Sequence, residues 1–180
     1  MTDKEILQLY HSEQGAQQAF NMIVRQYSSR LYWHLREMVL THDDANDLLQ
    51  DTLIKAWNAL PNFRGESGLY TWLYRIATNE AFTFLKKERI NSKFSLTSFE
   101  SKLKKRLSED LYFSGDTMQM MLQREVAKLP DRQRAIFSMR YFQNMSYADI
   151  GEILGSNGDA IKASYSIAYK KISSNLKKLI

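Results

Sequence analysis

Asp43, Asp44, Asp47 and Asp51 fall within Thr41 to Ile54, a stretch that holds no lysine or arginine. The first three spell DDxxD, in which carboxylates on one side of a helix can hold magnesium, so a metal-dependent enzyme is the sharpest catalytic reading they permit. That reading lacks support elsewhere, because the chain is short for such an enzyme and shows no second acidic helical motif to complete a metal cluster. His11, His34 and His42 have no paired ligand spacing and read as ordinary helix or surface residues. The absence of cysteine excludes disulfides, thiolate zinc sites and a cysteine nucleophile. No cofactor or metal is expected, and the protein is not expected to be an enzyme.

Basic residues suggest a different chemistry. From Phe84 to Arg106 stand eight lysines and arginines against Glu88 and Glu100, and from Ile161 onward stand Lys162, Lys170, Lys171, Lys177 and Lys178 with no acid. Two cationic zones in a chain of net charge +5 suit a polyanion, which leaves the acidic stretch to face something else. Solvated helix faces would give the same pattern, so charge alone does not decide. Within the second zone, "MSYADIGEILGSNGDAIKASYSIAYKKI" (145–172) holds two apolar-periodic stretches parted by Gly155 to Asp159. A short helix, a tight turn and a longer helix with a cationic side make a helix-turn-helix, whose second helix enters the major groove.

The elements that must position these groups are helical throughout, with Pro61 and Pro130 the only prolines among 180 residues. An all-α fold in two helical domains joined by a flexible linker is predicted: 1–90, a linker at 91–115, and 116–180. Thr2 and Glu5 have capping-box spacing ahead of Ile6, Leu7 and Leu9. A second helix runs from about Ala16 to Leu40, with Phe20, Ile23, Val24, Tyr27, Leu31, Leu35, Met38 and Val39 recurring at threes and fours. Thr41 caps a third, whose inner stripe is Ala45, Leu48, Leu49, Thr52, Ala56 and Trp57. After Pro61 and the loop "NFRGESG", a fourth spans about Leu69 to Arg89. The Ser-, Lys- and Leu-rich stretch from Ile90 to Gly115 reads as a linker with a short helical piece near Ser101 to Leu111. Asp116 caps a helix to Lys128, and Pro130 sits early in another to about Phe142. Ser146 caps Tyr147 to Leu154, Gly155 stops it, and Asn157 caps the last helix. No apolar run is long enough to span a membrane and no secretory leader opens the chain, so no membrane insertion and a cytoplasmic location are expected.

Two blocks carry a resemblance to a known family. "DANDLLQDTLIKAWNALPNFRGESGLYTWLYRIATNEAFTFLKKERI" resembles region two, and "LPDRQRAIFSMRYFQNMSYADIGEILGSNGDAIKASYSIAYKKI" region four, of bacterial sigma factors of the extracytoplasmic-function group in the sigma-70 family. The resemblance implies a sigma factor that binds core RNA polymerase and directs it to promoter DNA for transcription initiation, with an anti-sigma factor as a further partner. It places Asp47, Gln50 and Asp51 against the polymerase. It places Arg64, Ser67, Thr71, Trp72, Arg75, Asn79, Lys86, Lys87 and Arg89 at the minus 10 element, where aromatics replace lost stacking and cations hold the backbone. Trp72 also lies on the apolar stripe, so a core role is as well founded. Lys162, Ser164, Ser166, Lys170 and Lys171 fall at the minus 35 element. There the chain departs from its relatives: Asp159 stands at a usual glycine, and Ser164, Ser166 and Ile167 stand where basic or imidazole side chains are common. No arginine, the best bidentate reader of guanine, is present in that helix. The linker is either a basic tether or a segment threading toward the polymerase channel. The rival reading is a helix-turn-helix regulator that is not a polymerase subunit; it would not need the block from Phe63 to Arg89.

Overall fold

The computed structural model describes residues 1–91 and 116–180, and the helical piece expected near Ser101 to Leu111 lies outside the described residues. Every regular element described is helical: α1 (Asp3–Tyr10), α2 (Ala16–Val39), α3 (His42–Ala59), a 3-10 turn (Leu60–Asn62), α4 (Leu69–Asn91), α5 (Thr117–Ala127), α6 (Asp131–Tyr141), α7 (Tyr147–Leu154) and α8 (Gly158–Leu179).

The local signals for their ends act as chemistry predicts. Thr2 and Glu5 form the reciprocal capping box, and Thr41, Asp116, Ser146 and Asn157 each accept backbone N–H bonds in the first turn of their helices. Each satisfies a donor that the helix itself leaves orphaned. Gly155 takes a left-handed conformation (φ 67°), and its N–H closes on the Gly151 carbonyl to end α7. A side chain there would be strained, so this glycine fixes the length of the turn. Gly151 serves the same turn differently: a Cβ on it would lie 2.4 Å from the Ser156 carbonyl oxygen.

Helices α1 to α4 pack around Ile6, Ala19, Ile23, Leu31, Leu35, Leu69 and Leu73, all essentially excluded from solvent. Burying each leucine or isoleucine stabilises the fold by about 1.5 to 3 kcal/mol relative to exposure. Helices α5, α6 and α8 enclose Val126, Leu129, Phe137, Ala168 and Ile172. A further layer joins the two groups, since Ile136, Met139, Ile150 and Ile153 belong to the same apolar cluster as Leu31 and Leu73.

That joining layer accounts for burial that helical spacing did not anticipate. His34, Arg36 and Glu37, which lie outside the apolar stripe read from spacing, are buried along with Leu35, Met38 and Val39 because α6 covers this end of α2. Tyr74, Thr71 and Thr78 are likewise buried on α4. Trp57 goes the other way. Expected in the core, it is 38% exposed and meets Phe20 edge to face at 5.1 Å.

Candidate nucleic-acid interface

The acidic stretch becomes one outward face of α3. Asp47, Gln50 and Asp51 are exposed, while Leu48, Thr52 and Ala56 turn inward. Asp43 and Asp44 occupy the first turn, where the positive helix end favours carboxylates, and Asp44 also accepts from the Thr41 hydroxyl at 2.5 Å. Ile54, 59% exposed, and Trp57 continue the same face toward the C-terminal end. The face is therefore acidic at one end and apolar at the other, a combination suited to a protein partner and unsuited to phosphate. Sequence spacing missed its apolar half because it assigned Trp57 to the core.

Loop Phe63 to Ser67 precedes α4 and is anchored from a distance. Asp3 accepts the Leu69 backbone N–H at 3.2 Å through one oxygen and the Tyr27 hydroxyl through the other. Burial and the Asp3 carboxylate together push the Tyr27 hydroxyl well above its ordinary pKa. Asp3 thereby ties α1 to the start of α4, and nothing in the local sequence reveals a partner 66 residues away. In the loop, Phe63 and Trp72 lie 4.9 Å apart between ring centres, both half-buried, and Arg64 is exposed beside Ser67. Along α4, Arg75, Asn79, Lys86, Lys87 and Arg89 come out on the surface. Thr71 does not: it is 6% exposed and faces the core, which corrects its placement among surface residues.

Two of those cations already have partners in the second helical group. Arg75 donates to the carbonyls of Glu152 and Ile153, and Arg132 approaches that of Leu154. These oxygens are orphaned at the end of α7, where the helix dipole also favours positive charge. Arg89 makes a two-pronged pair with Asp131, one bond at 2.7 Å.

Between the groups lies a buried polar layer. His34 meets the Thr78 hydroxyl at 2.8 Å and the Gln143 side chain at 3.2 Å, and Gln143 also accepts from Tyr74. Burial holds the His34 imidazole down at about 4. Glu37 accepts from Gln123 at 2.9 Å; burial raises its carboxyl to about 7, against the opposing pull of that bond and of Arg36. Arg134 donates to the Met38 and Ala127 carbonyls. Among the described residues, Arg134 Nε and Gln123 Oε1 are buried with no hydrogen-bond partner.

In α8, Ile161, Ala168 and Ile172 face inward and Lys162, Lys170 and Lys171 outward, with Ser164 and Ser166 half-buried. Arg140 steadies the approach to the turn: it donates to the Met145 carbonyl at 3.0 Å and lies 4.5 Å above the Tyr147 ring.

With this geometry in place, comparison with known proteins is decisive. The Sigma-70 region 2 family profile matches residues 23–90, and that of Sigma-70, region 4, matches 119–172. RNA polymerase sigma factor YlaC of Bacillus subtilis is 32% identical over 162 residues, covering 87% of this chain and 91% of that protein. RNA polymerase sigma-H factor of Pseudomonas aeruginosa is 30% identical over 150 residues, covering 79% and 78%. The sigma factor RpoE of Bartonella quintana, solved in complex with the anti-sigma factor NepR, superposes with a TM-score of 0.63 at 25% identity, covering 88% of this chain and 96% of that one. CnrH, solved with the cytosolic domain of CnrY, has the same fold, with a TM-score of 0.68 at 22% identity over 98% and 97%. The chain belongs to the sigma-70 family, in its extracytoplasmic-function group. It is a transcription initiation factor that directs RNA polymerase, and the reading as a regulator outside the polymerase is not favoured.

Proposed function

We propose that the surfaces of this sigma factor divide as follows. Residues 1–90 bind core polymerase and open the minus 10 element, 116–180 read the minus 35 element, and 91–115 connect them. Asp47, Gln50 and Asp51 dock on the polymerase. Arg64, Ser67, Trp72, Arg75, Asn79, Lys86, Lys87 and Arg89 serve the minus 10 element, and Lys162, Ser164, Ser166, Lys170 and Lys171 the minus 35 element. Thr71 supports its neighbours from the core. The protein works in the cytoplasm without catalysing a reaction of its own, and an anti-sigma factor restrains it; the relative RpoE was solved in complex with one, NepR.

The observation that carries this reading is the segregation of charge. Acid lies on α3, base on the far end of α4 and on α8, and each lies within a block matched to the corresponding sigma region. Arg75 and Arg89 are held by α7 and Asp131, so promoter engagement by these two side chains requires those contacts to break. Footprinting of the assembled holoenzyme tests the division. Protection over both promoter elements is expected, and protection confined to one would refute it.

A further inference from the structure

The groove-facing side of α8 has an unusual makeup for a helix that reads DNA. A helix turns about 100° per residue, so residues opposite the buried Ile161, Ala168 and Ile172 are those that can meet a groove floor. In the first three turns Asp159, Ala163, Ser166 and Lys170 lie most nearly opposite, and Ala160 and Ile167 run beside Ala163 along one edge of that side; all three apolar residues are exposed, Ile167 at 60%. No arginine, asparagine or glutamine lies among Gly158 to Lys170, so the planar groups that make paired bonds to a guanine or adenine edge are missing, and polar readout falls to Lys162, Lys170, Ser164 and Ser166. Lys170 and Lys171 flank the apolar row and are exposed, as phosphate contacts require.

One exposed isoleucine on a helix needs no explanation. An isoleucine in line with two alanines, bordered by lysines and placed after a turn fixed by Gly151 and Gly155, is a different case. The alanines let the helix axis approach the bases closely. What an apolar side chain can recognise in the major groove is the thymine 5-methyl group.

We propose that Ala160, Ala163 and Ile167 are specificity-determining residues that read thymine methyl groups in the minus 35 element. The inference rests on the assignment of α8 to that element and adds the chemistry of its readout. From Ala160 to Ile167 the helix rises about 10 Å, which matches roughly three base steps. The element therefore contains a thymine-rich track of about three base pairs, with Ile167 making the largest contact.

The test uses holoenzyme assembled from the full chain and core polymerase, with a promoter duplex selected from a random library. Remaking that duplex with deoxyuridine in place of thymidine removes only the methyl groups. Each contacted thymine replaced should weaken binding about fourfold, the effect expected of one buried methyl group. Ile167→Ala should bind the thymine duplex less tightly by a similar factor and lose most of its discrimination at one step. Because Ile167 is exposed and alanine favours helix, the variant should fold. Equal affinity for thymine and uracil duplexes, with the minus 35 footprint intact, overturns the methyl readout and leaves the assignment of α8 standing. Absence of any upstream footprint overturns both.

Discussion

Replacing Glu37 with glutamine should tilt the pH dependence of stability, because two buried groups now act in opposite directions. Glu37 has a folded pKa of about 7 against an ordinary 4.5, so the folded chain holds its proton more tightly. The stability it contributes is full below 4.5 and is lost as pH rises through 7. His34 has a folded value of about 4 against 6.5, so its contribution is full above 6.5 and is lost as pH falls toward 4. Integrated between about pH 7 and about pH 5, each contributes roughly 2 kcal/mol, with opposite sign, and the two nearly cancel. Glu37→Gln keeps an acceptor for the Gln123 amide and removes one arm. Relative to wild type, it should lose roughly 2 kcal/mol more between about pH 7 and about pH 5. His34→Gln should shift the opposite way. Urea unfolding at a series of pH values measures both, with unchanged m-values showing that the same surface is exposed. Parallel curves for Glu37→Gln and wild type would refute the reasoning, since they require Glu37 to be solvated or already paired.

Three further outcomes are expected. Asp47→Arg with Asp51→Arg should sharply weaken capture of core polymerase while circular dichroism stays unchanged, because both side chains are exposed and the reversal acts on docking rather than packing. Asn79→Ala and Arg75→Ala should impair promoter opening more than initial attachment, visible by permanganate reactivity on linear templates and relieved on pre-melted ones; equal defects on both would remove the melting role. Asp159→Asn should tighten binding of duplex DNA most at low salt, measured by fluorescence anisotropy, because a carboxylate at the start of a groove-bound helix competes with phosphate contact while contributing only about 0.3 to 1 kcal/mol to the helix.

The helix ends were legible because capping is local chemistry. Thr2, Thr41, Asp116, Ser146, Asn157 and Gly155 each act within four residues, and each does what its type suggests. The candidate surfaces on α3 and α8 were legible for a related reason, since an outward charged face needs nothing beyond the period of its own helix. Burial of His34, Arg36, Glu37 and Tyr74 was not legible. Their neighbours lie across the chain on α5 and α6 and in the turn after α6, and one helix's spacing reports only the first face it buries. Arg75 and Arg132 bonding to the last carbonyls of α7 depends on the same packing. Thr71 and Trp57 exchanged their expected settings because period alone locates a stripe but not its edges.

Transcription in vitro from genomic DNA, with core polymerase alone and with this protein added, tests the central claim most directly. Discrete new start sites that share two spaced upstream elements are expected, with the upstream one rich in thymine. New starts without common elements, or none beyond those of core polymerase, would contradict it.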